Sequence, residues 1–341
     1  MTKMKTIFAI IFLALLIPVL LAAPESEAKV YRGKCKSNLT WSYDSKTKTM
    51  VIDCKGDMPD DEQFYDLDMG WRKYYFKTKK VILKKGISSI GAGAFYNFQK
   101  LEEVVLPEGL RIIKYDAFDG CRKLQFINKP STLEVIEKDV FWDVKIKSIS
   151  LKNLKKLGSE CFSGAKLQSV DIPAKCKIED SVFWSCKKLK KVTFEKGVKR
   201  ISYGMFRETG IKNIDIPGSV TQIGTYAFAN CQSLKKAIIN EGVKKISKDA
   251  FSNTALKEIT IPSTVTKLGK NAFRWESTEK SSLKKVVIRS QNIKKWGTMV
   301  FGATRDDLVI YVPQSKKAEY EKILRSTNGL DFHAKIVGKN W

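Results

Sequence analysis

Apolar positions recur along the chain with a fixed period, and one phenylalanine marks each repeat. These residues are 21 to 23 positions apart as far as Phe273, and a longer interval precedes the last: Phe95, Phe118, Phe141, Phe162, Phe183, Phe206, Phe228, Phe251, Phe273 and Phe301. A unit of about 22 residues cannot bury its own apolar face, so neighbouring units must stack. We therefore predict a solenoid in which each repeat adds one coil and the phenylalanines form a continuous core column.

A phrase of alternating apolar and polar residues follows each phenylalanine. Its pattern is L-x-x-V-x-I-P, and it is clearest in residues 101–107, 167–173, 211–217 and 256–262. A period of two predicts a half-buried strand, and the proline ends its hydrogen bonding. A second apolar pair follows, as at Val220 and Ile223. The turn before the phrase is one residue shorter after Phe162, Phe206 and Phe251 than after Phe118, Phe183 and Phe228, which we expect to tune curvature.

Both ends of such a stack need caps, because an open strand edge pairs with other chains. Residues 39–43 and 49–53 are predicted to form a hairpin at the N-terminal end, and residues 315–324 a short amphipathic helix at the other. The expected organisation is an N-terminal segment 1–28, a cap at 29–77, the solenoid at 78–313 and a C-terminal cap at 314–341.

The repeat resembles the BspA-type leucine-rich repeats of bacterial surface and secreted proteins. Residues 223–273 carry the closest likeness, residues 35–60 resemble that family's N-terminal cap, and residues 309–324 its closing strand and helix. The resemblance implies a strand-rich leucine-rich-repeat solenoid of about ten coils, similar to the α/β horseshoe of other leucine-rich-repeat proteins. Two departures are an insertion at 274–283, and Lys129 in place of a core leucine, which indicates an irregular coil at 128–131.

The N-terminal sequence indicates where the protein is expected to be located, and the net charge describes its mature part. Lys3 and Lys5 precede an uncharged apolar stretch, residues 6–24, which has the layout of a signal peptide with cleavage after Ala28. An uncleaved anchor is the alternative, and no membrane span is expected after cleavage. The formal charge is +26, from 62 Lys and Arg against 36 Asp and Glu. We expect a monomer that is secreted or held at the surface of a bacterium.

The seven cysteines fall into two groups. Those inside the repeats are interpreted as small buried hydrophobic residues, because Ala, Thr and Val replace them in equivalent positions: Cys121, Cys161, Cys176, Cys186 and Cys231. Cys35 and Cys54 flank the predicted hairpin and are a candidate disulfide, since an exported protein can oxidise them. The alternative is two free thiols. Absence of a C-x-x-C motif argues against zinc or redox chemistry.

Catalytic and cofactor signals are weak. His333 is the one histidine, so a nucleophilic triad would depend on a residue outside the repeats. The acidic run at 57–68 lacks the loop signature of a calcium site. No Gly-rich phosphate loop or nucleic-acid motif is present. We expect no enzyme activity, no metal, no cofactor and no specific nucleic acid, with a degradative enzyme using His333 as a minor alternative.

Two surfaces of the strand phrase are candidates for binding. The first variable position carries a basic ridge in six coils: Lys147, Lys190, Lys212, Lys235, Lys257 and Lys284. The outward positions are candidate strand-face contacts: Glu103, Asp171, Asn213, Asp215, Glu258 and Thr260. Aromatic residues beside the core phenylalanines could bind a partner or pack between coils: Trp142, Trp184, Tyr203 and Tyr226.

The family resemblance implies adhesion, with recognition of host extracellular-matrix proteins, mucosal surfaces or other bacteria. The alternative is an electrostatic binder of anionic cell-wall polymers or sulfated glycans that uses the basic ridge and has no dedicated protein receptor. In a third interpretation, lysine is the general solubilising residue of this chain, because lysines also occur at the second strand of several coils, for example Lys199, Lys244 and Lys267.

Overall fold

The computed structural model describes residues 28–35, 39–61, 69–276, 281–302, 306–327, 330 and 333–341. The chain forms a strand-rich solenoid of about 11 turns, as the repeat predicts. The predicted signal peptide, residues 1–28, lies outside the described residues apart from Ala28.

Most coils contribute two short strands. In chain order they are β1 (Val30–Cys35), β2 (Leu39–Asp44), β3 (Thr49–Asp53), β4 (Gly56–Asp57), β5 (Lys80–Leu83), β6 (Ile87–Ile90), β7 (Glu103–Val105), β8 (Ile112–Ile113), β9 (Phe126–Ile127), β10 (Val135–Ile136), β11 (Lys156–Leu157), β12 (Ser169–Ile172), β13 (Lys177–Ile178), β14 (Lys191–Phe194), β15 (Arg200–Ile201), β16 (Asn213–Ile216), β17 (Gln222–Ile223), β18 (Lys236–Ile239), β19 (Lys245–Ile246), β20 (Glu258–Ile261), β21 (Lys267–Leu268), β22 (Lys285–Ile288), β23 (Lys295–Trp296), β24 (Val309–Pro313) and β25 (Lys335–Lys339). One α-helix is described, α1 (Lys317–Thr327), and 3₁₀ turns cover Arg72–Tyr74 and Gln314–Lys316.

The strands form two faces of parallel ladders. The strand phrases build one face, with sheets in the order β1-β2-β3-β5-β7-β9, β12-β14, β16-β18 and β20-β22-β24-β25. The second apolar pairs build the other, with sheets β13-β11-β10-β8-β6-β4 and β15-β17-β19-β21-β23. We call the outward surface of the first set the strand face.

Turn length explains where the ladder of the strand face is interrupted. The strands β12, β16 and β20 follow the three shortened turns, and none of them is paired with the strand phrase of the preceding coil. Each is paired with the strand after it: β14, β18 and β22. The one-residue difference therefore coincides with the breaks before β16 and β20, whereas the sheet that begins at β20 continues through β22 and β24. On the second face the break between β13 and β15 coincides with a spacing of five residues from Pro173 to Ile178, against six from Pro217 to Ile223.

The phenylalanines form the predicted core column. From Phe95 to Phe301 each ring is stacked on the next, with centroids 5.1 to 6.0 Å apart. All ten are buried, and the aliphatic residues of both ladders surround them in one contiguous core. Because each ring of the column stacks on the rings of the adjacent coils, the core is a series of similar layers.

Two left-handed residues flank each turn that carries a core phenylalanine, and they form columns along the solenoid. The residue two positions before the phenylalanine has positive φ in every coil: Gly93, Asp116, Asp139, Glu160, Ser181, Gly204, Tyr226, Asp249, Asn271 and Met299. The residue two positions after it does so in eight coils: Asn97, Gly120, Asp143, Gly164, Ser185, Glu208, Asn230 and Asn253. Gly, Asn and Asp tolerate this conformation best, which explains most of the residues found there.

Four of the five repeat cysteines are buried, as expected: Cys121, Cys161, Cys186 and Cys231. In the longer turns the thiol also donates a hydrogen bond to the phenylalanine carbonyl of a preceding coil, for example from Cys186 Sγ to Phe162 O at 3.0 Å. Burial raises the pKa of Cys186 to about 12 and that of Cys231 to about 11, so both remain thiols at neutral pH. Cys176 is only half-buried and lines a groove of about 490 Å³ beside the break between β13 and β15.

The N-terminal hairpin is confirmed as β2 and β3, with Tyr43 opposite Met50, and β1 adds a third strand that the alternation did not reveal. The strand order sets the two cysteines of the candidate disulfide apart. Cys35 lies in β1 opposite Leu39, whereas Cys54 follows β3, so β2 separates them. Strands two apart in a sheet are roughly 10 Å from each other, beyond the span of a disulfide.

The C-terminal helix is confirmed as α1. Tyr320 and Leu324 are fully buried, and Tyr320 Oη donates to the Ser290 carbonyl at 3.1 Å. Beyond α1, β25 adds a further strand parallel to β24. The irregular coil at Lys129 is also present, because the side chain of Asn128 bonds both backbone groups of Leu106 at 2.7 and 2.8 Å in place of a strand. Part of the insertion after Phe273, residues 277–280, lies outside the described residues.

Candidate binding surfaces

The strand face owes its exposed side chains to the alternation of the parallel strands. In β22, Val286 and Ile288 point into the core with no exposed surface, so Val287 between them points outward. The register aligns the outward residues of successive strands, as with Thr260, Val287 and Tyr311 in β20, β22 and β24. The result is a rigid surface on which like positions form columns.

Five of the six candidate strand-face contacts lie on β12, β16 and β20, which are alternate strands of the strand face, and several make contacts across coils. Asp171 accepts a hydrogen bond from Thr193, and Asp215 Oδ1 accepts one from Asn240 Nδ2 at 2.7 Å. Lys285 Nζ lies 3.5 Å from Glu258 Oε2. Glu103 is separate from this group. It lies in β7, and between β9 and β12 the strand face has a gap, because residues 144–155 are described and form no strand.

Exposed apolar residues on the strand face are a feature that the sequence analysis did not single out. Near the C-terminal end, Val337 is 37% exposed and lies in the same outward column as Val287 and Tyr311. Ile238 is 40% exposed, lies across the break before β20 and lines a groove with Val287. Lys339 Nζ lies over the Tyr311 ring, 4.8 Å from its centroid. Phe126 is 61% exposed and stands beside Glu103. The sequence signal for this exposed ring was a Phe at an outward position of the strand phrase.

The lysine ridge consists of Lys147, Lys190, Lys212, Lys235, Lys257 and Lys284, and all six side chains are exposed. Backbone hydrogen bonds align them: Lys235 N donates to Lys212 O at 2.9 Å, and Lys284 N donates to Lys257 O at 2.8 Å. Gln168 occupies the position between Lys147 and Lys190. Paired strands place such side chains ~4.8 Å apart at the backbone, so the ridge concentrates positive charge along one line.

The turn side, which carries the core phenylalanines, holds the exposed aromatic residues. Trp142 and Tyr203 are 44% and 41% exposed, whereas Trp184 and Tyr226 are half-buried. The Arg207 guanidinium lies between two of these rings, 5.5 Å from the Trp184 centroid and 5.6 Å from the Tyr226 centroid. The aromatic residues therefore pack between coils and also expose part of their rings to solvent.

Acidic residues cluster on the same side nearer the N-terminal end. Burial, together with the charges of Asp116 and Asp139, raises the pKa of Asp119 to about 6. Burial and the neighbouring Asp139 also raise the pKa values of Asp116 and Glu160. The left-handed column brings these carboxyl groups together, since Asp116, Asp139 and Glu160 occupy its successive positions.

Within the part of the chain that the structure describes, no group of three or more His, Cys, Asp or Glu residues could hold a metal ion. His333 is exposed near the C-terminus. In the described part of the acidic run, Asp60 lies 2.9 Å from Lys114 and Asp61 lies 3.3 Å from Arg72, while Asp57 accepts a hydrogen bond from Ser88 at 2.6 Å. Its remaining acidic residues, at 62, 66 and 68, lie outside the described residues. No described helix is long and apolar enough to cross a membrane.

Comparison with known families identifies the repeat. A family model for the BspA type leucine-rich repeat region matches six copies over residues 73–190 and 155–280, more than half of the chain. The chain therefore belongs to the BspA-type leucine-rich repeat family. A comparison with curated protein sequences gives no significant match.

Solved structures agree on the fold. A leucine-rich repeat protein from Bacteroides ovatus is 22% identical, with 89% of this chain and 90% of that chain covered and a TM-score of 0.58. One from Eubacterium ventriosum is 20% identical, with 83% and 84% covered and the same TM-score of 0.58. The pneumococcal vaccine antigen PcpA is 16% identical, with 90% and 98% covered and a TM-score of 0.46. At these identities the first two establish the leucine-rich-repeat solenoid and nothing about ligands.

Proposed function

We propose that this protein is an extracellular binding module of the bacterial surface, an adhesin-like scaffold that recognises an extracellular protein through its strand face. The family membership supports a binding role at or outside the cell. The supporting observation for the surface is the outward column of Thr260, Val287, Tyr311 and Val337, which leaves apolar side chains exposed on a rigid sheet. Ile238, in the preceding coil, lines the same groove as Thr260 and Val287.

This column has the composition of a protein interface. An aromatic side chain at the centre of a patch, with apolar neighbours and a polar rim, is the usual origin of binding energy between proteins. Here Tyr311 and Val287 provide the centre, while Lys285, Arg289 and Lys339 provide the rim. The parallel ladder fixes these positions, so binding would cost little ordering of the backbone.

The test is retention of residues 29–341 on immobilised matrix proteins, mucin, heparin and purified cell walls. We expect saturable retention on at least one protein. Val287→Glu, which places a charge in the middle of the column, should abolish this retention, and Thr266→Glu on the second face should leave it unchanged. Retention that ignores the Val287 substitution, or that occurs on the anionic materials alone, overturns the assignment of the strand face.

A second candidate function rests on the lysine ridge. Its exposed ammonium groups occupy the same position of five successive coils, from Lys190 to Lys284, and backbone hydrogen bonds align Lys212 with Lys235 and Lys257 with Lys284. A column of like charges attracts a polyanion such as a cell-wall polymer or a sulfated glycan, with an affinity that salt screens. Retention on heparin and cell walls that disappears between low and high salt would favour this function.

A further inference from the structure

A short groove crosses the turn side, and the residue directly after each core phenylalanine determines where it opens. That residue is large at Trp142, Trp184 and Arg207, but it is small at Ala229 and Ser252 in two consecutive coils. Ala229 and Ser252 are buried and form the floor of a groove of about 220 Å³, with Arg207 at one end. This volume is below that of a drug-sized pocket and suits one small ring.

The walls of the groove are the two left-handed columns. Tyr226, Asp249 and Asn271 line one side, and Asn230 and Asn253 line the other. Asn253 Nδ2 donates to Asn230 Oδ1 at 3.0 Å, which fixes that wall. Side-chain amide and carboxylate groups, rather than apolar groups, therefore dominate the lining.

One polar atom in the groove has no partner. Asn271 is only 6% exposed, and its Oδ1 makes no hydrogen bond to any residue that the structure describes. A buried acceptor left without a donor is costly, so native structures satisfy nearly all of them. Because Asn271 lines the groove, a hydroxyl of a bound ligand could donate to it. Asp249, 3% exposed, offers a second acceptor beside it.

Cations outnumber anions around this groove. Arg207, Lys248 and Lys270 line it, against Asp249 and Glu276. Glu276 is paired with Arg274 at 3.3 Å, and Asp249 Oδ2 lies 3.8 Å from Lys248 Nζ. The stacking of Arg207 between Trp184 and Tyr226 holds its guanidinium in place. A ligand with both hydroxyl groups and a negative charge matches this combination.

Tyr226 gives a further sign that the groove is not only structural. It has a φ of 56° in a column where six of the ten coils use Gly, Asp or Asn, and Glu160 and Met299 are the other large residues there. A bulky side chain rarely adopts this conformation, and such strain concentrates at functional sites.

From these observations we propose that the groove binds one acidic monosaccharide unit, a sugar ring that carries a carboxylate. The ring lies over Ala229 and Ser252, its hydroxyls donate to Asn271 Oδ1 and Asp249, and its carboxylate pairs with Lys248, Lys270 or Arg207. This site is separate from the strand face and the lysine ridge, so it adds a glycan contact to the protein contact proposed above.

The test uses residues 29–341 with glucuronic acid, N-acetylneuraminic acid and glucose as probes, measured by titration calorimetry and saturation-transfer NMR at 150 mM salt. Ser252→Trp fills the floor of the groove with tryptophan. The equivalent position in two other coils is already a tryptophan, Trp142 and Trp184. The matched control is Ser163→Trp, the same change in the same column four coils away. Lys248→Gln changes an exposed residue and avoids any question of folding.

We expect at least one acidic sugar to bind about tenfold more tightly than glucose. Ser252→Trp should then lose at least about tenfold in affinity and Lys248→Gln about fivefold, while Ser163→Trp stays within about twofold of the unmodified protein. The proposal is overturned if neither acid binds at millimolar concentration, if glucose binds equally well, or if Lys248→Gln has no effect. Equal losses in the two tryptophan variants would also contradict it. Failure here leaves strand-face binding, tested by Val287→Glu, unaffected.

Discussion

Val287 and Tyr311 lie opposite each other on the neighbouring parallel strands β22 and β24, and both side chains point away from the core. Their neighbours along each strand, Val286 and Ile310, are fully buried. The same alternation thus separates residues that hold the solenoid together from residues that can meet a partner. Substitutions in the outward set should therefore change binding with little effect on folding.

Tyr311→Ala should reveal the centre of the strand-face interface. The Tyr311 ring is half-exposed beneath Lys339, so its loss removes apolar contact area from any bound protein. We expect affinity for the protein ligand to fall by at least about tenfold, as for an interface hot spot. Thermal unfolding should change by only a few degrees. Tyr203→Ala, an equivalent change on the turn side, is the control and should leave affinity for the protein unchanged.

Neutralising lysines of the ridge should show whether retention on anionic materials depends on their positive charge. We expect the triple variant Lys190→Gln, Lys212→Gln and Lys235→Gln to elute from heparin at lower salt and to be slightly more stable, because repulsion between adjacent ammonium groups is removed. The matched variant changes Lys199, Lys245 and Lys267 on the second face. If both triple variants shift elution equally, net charge and not the ridge determines retention.

The phenylalanine column predicts a large and local stability cost. Phe228 is fully buried and stacks on Phe206 and Phe251 at 5.5 and 5.1 Å. Phe228→Ala should lower the free energy of unfolding by about 3–5 kcal/mol, measured by urea denaturation. Phe126→Ala removes the same side chain from a site that is 61% exposed and should cost under about 1 kcal/mol. Similar costs for the two variants would contradict the stacked core.

Asp119 should make stability depend on pH in the direction opposite to most carboxylates. Its pKa is raised to about 6, by burial and by the charges of Asp116 and Asp139. In the unfolded chain it ionises near pH 4, so its favourable contribution is present below about pH 4 and is lost as the pH rises through 6.

Asp119→Asn should therefore stabilise the protein at pH 7.5, by on the order of 1 kcal/mol once solvent screening is allowed for. The gain should shrink toward zero at pH 4.5. Thermal unfolding of the variant and the unmodified protein at the two pH values measures this difference, with Asp180→Asn, at an exposed aspartate, as control. A gain that is the same at both pH values would show that the charge of Asp119 is not its cause.

The sequence was most informative where residues repeat. The Phe95-to-Phe301 column, the strand phrases, the hairpin of β2 and β3 and the helix α1 all follow from periodicity, because burial in each coil imposes the same residue types. Cys186 was correctly interpreted as buried, but its hydrogen bond to Phe162 depends on the neighbouring coil and has no sequence signature.

The structural features that the sequence did not predict lie where the repeat pattern is weak. The strands β1 and β25 lie at the edges of their sheets, so they lack the buried alternation that marks the others. The left-handed columns were visible as recurring Gly, Asn and Asp residues, but Glu160, Tyr226 and Met299 obscure them. The turn-side groove depends on Ala229 and Ser252 being consecutive small residues in space, a relationship that appears only once the coils are stacked.

The most direct test of the central proposal is the affinity of residues 29–341 for whichever protein retains it, measured at 50 and 500 mM salt. Recognition by the apolar column of the strand face predicts a change of less than about threefold, because salt screens charges and leaves buried apolar contacts intact. A loss of more than about thirtyfold would contradict that account and assign binding to the lysine ridge.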